Sequence, residues 1–538
     1  MALRDAGPSV VIVGGGIAGL TAASHLKNNG LTNVTLLEAQ ERLGGRIHTV
    51  KFGESVLDLG AQWIHGLKGN CVYKLAKEHD LVTVEEDKAE NNTRSRLDEI
   101  DGYLFLTSKG EEVDKTIVNK MVKIWDEIYI EAEEFFSTDD ESDSDSSSDS
   151  ESSSDEDCGG TGKEKPRFRA RDLFPCGQTP KSYGEYFDRC FQHCMMSNKG
   201  DSEDERNLQK AFAEWQKQFE NIDNACSSLN ELHVGAWGKY FDCDGDQEAE
   251  FKNGFQTILD VIIEKIPSKS IHLSKPVKTV HWQTSKEKFQ TTTNDLSIVE
   301  CEDGTIFKAD YVIITPSVGV LKEREGTLFD PPLPDDKKYV LKNMGYGTVN
   351  KIYLEWETRF WDENCYGFQF LWLDNVPVKS AKSELRTESG EMWYNKMQGF
   401  GCVINQPTVL EVFVSGEKAK IMEALDDQEV MDVCVELLTI FTKLNIPSPK
   451  RILRTYWHTN PFFRGSYSVI TPDLSLTDHD ILREPLPSRE DPVLLFAGEA
   501  CSKHHFTTTH GAMESGENAV KIILKDLKRH QKAGHVKK

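Results

Sequence analysis

Residues Val10–Gly19 read VVIVGGGIAG, and the chain continues LTAASHL as far as Leu26. Four β-branched residues in a row suit a buried strand, and the run after the glycines suits a helix. Glycines at 14, 15, 16 and 19 stand where that strand must turn into that helix. VTLLEAQERLGGR follows, so Glu38 ends the next apolar run nineteen residues beyond Gly19. A lone GxGxxG is a weak signal. A strand before it, a helix after it and an acid closing the next strand make it a strong one. The glycines let the backbone approach a pyrophosphate, and the helix N-terminus offers free N–H groups and a partial positive charge. The acid accepts hydrogen bonds from a ribose. The stretch predicts an α/β chain with a Rossmann-like dinucleotide site at Gly14, Gly16, Ala18, Gly19, Glu38 and Ala39.

A chain of 538 residues exceeds one ordinary core, so two domains or one large elaborated domain are expected. No apolar stretch approaches the 18 residues of a membrane span, and MALRDAGPS lacks the apolar centre of a signal peptide. The final HVKK does not match an SKL-type peroxisomal tail, so the expected address is the cytosol, with the nucleus second. The twelve cysteines form no CxxC pair and no Cys/His cluster with zinc-finger spacing, so reduced thiols and no metal ligands are expected. Cys190-Phe-Gln-His-Cys194 reads as core thiols on a helix.

The net charge is −25. Ten of the acids lie in Asp139–Asp157, a run with no Lys or Arg, and without it the charge is still −15. Such a surface repels nucleic acid and attracts cations, which suits a polycationic substrate or a basic protein partner. The Ser/Asp/Glu segment 137–165 cannot bury apolar surface. It is expected to be a disordered loop insertion, with serines open to phosphorylation.

Elsewhere the pattern predicts mostly helices over 75–240 and a helix in FKNGFQTILDVIIEK. Strands are expected in SIHLS, PVKTVHW, KFQTTT, IVECEDGTIFKADYVIIT (with a DG turn), TVNKIYLEW, TVLEVFV, RILRTYW and VLLFAGEA. DQEVMDVCVELLTIFTKL and AMESGENAVKIILKDLKRH read as helices.

Glu38–Arg46 (EAQERLGGR) resembles the ExxxxxGGR segment of FAD-dependent amine oxidases. Gly60–Gly66 (GAQWIHG) and Asn460–Ser468 (NPFFRGSYS) resemble segments of animal spermine oxidases and N1-acetylpolyamine oxidases. Phe496–Ala500 (FAGEA), Thr507–Ala512 (TTTHGA) and Gly345–Trp356 (GYGTVNKIYLEW) extend the likeness, which runs from about residue 9 to 530. The resemblance implies a Rossmann-like FAD domain, 8–70, 246–320 and 455–531, interwoven with an α+β substrate domain, 71–245 and 321–454. It implies non-covalent FAD contacted also by Gly45, Arg46, Gly60, Ala61, Gln62, Trp63, Val277, Trp457, Gly498, Glu499 and Thr508. Lys351 matches the family lysine that holds a water near the flavin, and His65 matches the histidine of the substrate tunnel. Both are expected to be catalytic. Tyr467 and Phe506 match aromatic walls, and Thr507 stands near the substrate amine. Departures are phenylalanine for tyrosine at Phe462 and Phe506, and threonine for serine at Thr507.

The chemistry so implied is oxidation of a secondary amine beside the flavin, hydrolysis of the imine, and transfer of two electrons to O2, giving H2O2. A free terminal ammonium needs an acidic partner, whereas an acetylated end does not. Asp223 falls near a spermine-oxidase acid and Glu220 on one found in both subfamilies, while Ala225 replaces an expected serine. Spermine is therefore the expected substrate, with N1-acetylated polyamines the alternative. A monoamine oxidase would carry a flavin-bound cysteine where this chain has Ser466. A catalytically silent flavoprotein that binds basic partners through the acidic loop is the non-enzyme alternative.

Overall fold

The apolar run that opens the chain is an interior strand of a six-stranded sheet. In spatial order the strands are Leu486–Ser488, Asp491–Phe496, Tyr311–Ile314, Val10–Val13, Val34–Leu37 and Ile271–His272. All neighbours pair in parallel except Leu486–Ser488, which folds back antiparallel on Asp491–Phe496. Val10–Val13 and Tyr311–Ile314 are buried along their whole length. Covered on both faces, such strands carry unbroken apolar runs rather than alternation. Helices Ile17–Asn28 and Thr509–Lys532 pack against each other beside this sheet. Their approach needs Gly516, where a Cβ would stand 2.3 Å from Ala18 O. The computed structural model describes residues 7–532 apart from 54, 83–99, 138–167, 176–177, 197–200 and 283–295.

A second six-stranded sheet has the order Arg451–Arg454, Val349–Glu355, Gln406–Ser415, Gly399–Val403, Gly367–Leu371 and Tyr103–Thr107. Helix Glu203–Asp223 lies against its Gly367–Leu371 and Gln406–Ser415 strands, and helices Lys115–Phe136 and Tyr183–Met196 pack on from there. The chain thus has an α/β architecture with two sheets, the first drawing strands from residues 10–37, 271–314 and 486–496.

The expected mostly helical region 75–240 contains the strand Tyr103–Thr107. Its partner, Gly367–Leu371, lies more than 250 residues away, so local periodicity cannot reveal it. Gly367–Leu371 and Gly399–Val403 escape the pattern for another reason. Gly367 and Gly399 have φ of +143° and +149°, and a Cβ at either would stand 2.1 or 2.0 Å from the carbonyl oxygen of Phe400 or Phe368. Glycine is therefore required inside a paired ladder, where it otherwise reads as a break. The strand expected in RILRTYW stops at Arg454. KFQTTT and nearly all of the acidic segment 137–165, with its expected disorder, phosphorylation and basic partner, fall outside the described residues.

The described cysteines are all free thiols. Cys190 and Cys194 are buried in helix Tyr183–Met196, and burial pushes the Cys190 thiol up to about 12, as befits core packing. Among the described residues no helix is long and apolar enough to cross a membrane.

Candidate active site

A cavity of about 1360 Å³ runs from the glycine turn of the first sheet to the face of the second. At its first end, Gly14 has φ of +107°, and a Cβ there would strike Thr315 Oγ1 at 2.3 Å. Gly19 packs on the turn, where a Cβ would lie 2.1 Å from Gly14 O. Gly16 differs: it is the N-cap of Ile17–Asn28, no side chain caps it, and a Cβ would meet nothing nearer than Gly44 O at 3.9 Å. Gly498, with φ of +136°, likewise has no atom within 4 Å of its Cβ position. Ala18, Ala39, Gly45 and Ala61 line the same wall. Open glycines at an uncapped helix N-terminus make a cradle for a pyrophosphate.

Glu38 is buried, and burial raises its carboxyl above the usual range. Its Oε2 accepts from Gly15 N at 2.7 Å and its Oε1 from Gln40 N at 2.8 Å. These bonds aim the carboxylate at the cavity and leave lone pairs for a ribose. Arg46 Nη1 donates to Glu499 Oε1 at 2.9 Å and to Ser466 O at 2.8 Å. Glu499 Oε2 accepts from Ser468 Oγ at 2.6 Å. Gly60 is pressed on this arginine, since a Cβ would stand 1.7 Å from Arg46 O. Trp457 is buried beside Gly60, and Val277 also lines the cavity. Thr508 has a structural role, because its Oγ1 accepts from Gly511 N at 3.1 Å and so caps the last helix. The residues present fit a flavin dinucleotide.

Lys351 lies mid-strand in the second sheet and is 5% exposed. Its Nζ donates to Asp58 O at 2.9 Å and to Gln62 Oε1, and lies 5.6 Å from the Trp63 ring and 5.4 Å from that of Phe413. Burial lowers the lysine's pKa, while Glu411, Asp58 and Glu250 pull the other way. Glu411 is buried and its carboxyl is raised by burial; Glu250, which accepts from Trp63 Nε1 at 3.1 Å, is pushed up to about 7. Sequence reasoning alone does not single out Asp58, Glu250 or Glu411. An acid inside an otherwise apolar strand, as in TVLEVFV, is the signal that could have found one of them.

His65 faces the cavity, and the enclosing protein lowers its imidazole below the ordinary range despite a hydrogen bond to the Gln247 backbone. Tyr467 also lines the cavity, its hydroxyl donating to Ile222 O at 2.7 Å. Phe506 is buried edge-on to Tyr240, with ring centroids 5.4 Å apart. Thr507 has φ of +70° and gives its N–H to Glu499 Oε2 at 3.3 Å. Asp223 ends helix Glu203–Asp223 and faces the cavity beside Tyr467 and Tyr240. Glu220 also borders the cavity, but it is buried and accepts from Trp125 Nε1 at 3.0 Å. The structure therefore brings the sequence-predicted site residues to the lining of this cavity, except Gly19, which packs behind the glycine turn.

The family model described as flavin containing amine oxidoreductase matches residues 17–524. The peroxisomal N(1)-acetyl-spermine/spermidine oxidase of Homo sapiens is 33% identical over 527 residues, covering 95% of this chain and 93% of its own. That of Bos taurus is 31% identical with the same coverage. A solved structure of putrescine oxidase is 20% identical, covers 96% of this chain and 99% of its own, and superposes with a TM-score of 0.63. The expected cytosolic or nuclear address is overturned, because these two animal relatives are named as peroxisomal enzymes. An address is read from short signals and not from the packing of a core, so the fold had no bearing on that expectation. The silent-scaffold reading also gives way, for the cofactor is FAD and the protein an oxidoreductase. With the glycine cradle, the Arg46–Glu499 pair and the buried lysine in one cavity, and a match across nearly the whole sequence, this chain belongs to the flavin containing amine oxidoreductases.

Proposed function

We propose that the protein oxidises polyamines at a secondary amine, with N1-acetylated polyamines preferred to free spermine. The observation that carries the reading is the pairing of Lys351 and His65 with the aromatic walls Tyr467 and Phe506 in one cavity that Asp223 also enters. The acetylated preference replaces the first expectation of spermine. It is supported by the two animal relatives named for N1-acetyl-spermine/spermidine.

The cradle at Gly14, Gly16, Glu38, Arg46 and Glu499 would hold FAD without a covalent bond, and the chemistry it would supply there is two-electron oxidation of the carbon beside the amine nitrogen, with O2 as final acceptor giving H2O2. The chain's own residues bind, orient and manage protons. His65 is neutral near pH 7 and so accepts a hydrogen bond from the substrate amine, favouring the uncharged nitrogen that oxidation needs. Tyr467 and Phe506 flank the alkyl chain, and Thr507 offers a hydroxyl to the amine. Asp223, at a helix C-terminus where carbonyl charge adds to its own, attracts a remote ammonium. Lys351 holds and relays a proton through water. Water then hydrolyses the imine to an aldehyde and a shorter amine.

Ser466 Oγ donates to Val349 O at 3.0 Å and accepts from Val349 N at 2.8 Å, so its hydroxyl ties two strands. This supports a flavin that leaves the protein on denaturation. The same reading assigns 8–70, 246–320 and 455–531 to cofactor binding and 71–245 and 321–454 to substrate binding.

Peroxide release with N1-acetylspermine, N1-acetylspermidine, spermine and spermidine tests the proposal. The acetylated forms should give the highest kcat/KM. A higher value for spermine overturns the preference, and no peroxide from any of them overturns the activity.

A further inference from the structure

Three side chains from two segments converge at the cavity wall. They are Cys243, His505 and His510, and their ligand atoms all lie within 4.8 Å of one another. Cys243 is 7% exposed and His510 1%. His510 Nε2 is buried and has no hydrogen-bond partner among the described residues. A buried polar atom left unpaired is costly, so an unpartnered imidazole nitrogen within reach of a thiol and a second imidazole asks for a ligand.

The rest of the cluster is prepared in the same way. His505 Nδ1 lies 2.8 Å from Glu514 Oε2, which fixes the ring and leaves Nε2 as its ligand nitrogen. The Cys243 thiol hydrogen-bonds the same imidazole. A carboxylate behind a histidine is the usual support of a metal-bound imidazole. Two glycines permit the convergence. A Cβ on Gly66 would stand 1.9 Å from Cys243 O, and one on Gly511 would stand 1.8 Å from His505 O. Leu67 N and Lys68 N both donate to Asp244 O, at 2.7 and 2.9 Å, clamping the cysteine's loop.

One thiolate and two imidazoles form a donor set for a borderline-soft, tetrahedral cation. We propose that Cys243, His505 and His510 bind Zn2+ beside the substrate cavity, with a fourth position left for water. The S–Zn bond forms as the thiol proton leaves to solvent, and both imidazoles bind as neutral donors. Cys243 lines the cavity, and Phe506 and Thr507 lie between the two histidines in sequence. The ion therefore ties the loop around Cys243 to the turn that carries the aromatic wall. The site stands on these three side chains and does not depend on which amine is oxidised.

The test uses the flavin-loaded enzyme, stripped with a chelator and dialysed against Zn2+ or Co2+. Bound metal per chain is counted by mass spectrometry, and Co2+ is followed by its absorption beyond the flavin bands. The expected result is one ion per chain, a tetrahedral Co2+ ligand-field band beyond the flavin absorption that is lost or shifted in Cys243→Ser, and a Tm raised by Zn2+ only in the wild type. Glu514→Gln should weaken Zn2+ by about 10- to 100-fold. His505→Gln carries the same comparison if Cys243→Ser does not fold, which its flavin spectrum reports. Equal Zn2+ affinity in the wild type and the folded variant, or no ion retained by the wild type, overturns the proposal.

Discussion

Arg46 and Glu499 are 453 residues apart in the chain and 2.9 Å apart in space. The pair fastens the end of the first glycine segment to the turn before the last helix, and Ser468 and Thr507 satisfy the other carboxylate oxygen. Both charges border the cofactor cavity, where removing one partner leaves the other poorly solvated. Glu499→Gln is expected to destabilise the fold by about 3 kcal/mol and to release FAD. A calorimetric scan with a fluorescence assay for free flavin checks both. An unchanged Tm with full flavin content would show that the pair is ornamental.

Gly16 and Gly19 should respond differently to alanine. Gly19→Ala forces a Cβ onto Gly14 O at 2.1 Å, an overpacking cost of about 1–3 kcal/mol, and should lower the stability of the apoprotein. Gly16→Ala has room within the protein but fills the cradle. Its apoprotein should melt with the wild type while its FAD affinity falls. Reconstitution titrations on both apoproteins separate the two effects.

Lys351→Met removes the positive charge that faces three acids, Asp58, Glu250 and Glu411. The expected loss in kcat/KM is about 100-fold or more, as for removal of a positioned proton carrier. Anaerobic reduction and aerobic reoxidation, followed separately by stopped-flow, show which half-reaction carries it. Wild-type rates in both halves would remove Lys351 from the chemistry.

Asp223→Asn should raise KM about tenfold for a substrate whose remote end is charged, and much less for one whose remote end is acetylated. Equal effects on both would place Asp223 away from the substrate terminus.

Two buried histidines contribute stability that acid removes. Burial and the nearby Arg42 push His48 down to about 4, and burial lowers His479. Both stay neutral in the fold while the unfolded chain takes up protons near the ordinary imidazole value of about 6.5. The stability they contribute is complete above that value and is lost as pH falls toward about 4. Glu250, pushed up to about 7, contributes in the opposite sense over the same range, so the histidine share is read by comparison: the Tm of His48→Gln should fall less between about pH 7 and 5 than that of the wild type. Equal changes of Tm in the two proteins would contradict the assignment.

The residues around the glycine turn were legible because their signal is local. A strand, a turn and a helix lie within nineteen residues, and the spacing of Gly14, Gly16 and Gly19 to Glu38 follows from one βαβ unit. Lys351 and His65 were legible only through the motifs around them, since periodicity left the face of Lys351 open. Glu411 and Glu250 were not legible. Their importance comes from sharing one buried space with Lys351, which depends on the pairing of Val349–Glu355 with Gln406–Ser415.

By itself the sequence determined the dinucleotide cradle, the cofactor class and the family, because backbone conformation and helix polarity are set by neighbours along the chain. Only the tertiary structure decided which acids surround the lysine, that Thr508 caps a helix, and that a cysteine and two histidines separated by some 260 residues share one site. Those facts depend on distances between segments, and the packing of two sheets, not spacing in the chain, fixes such distances.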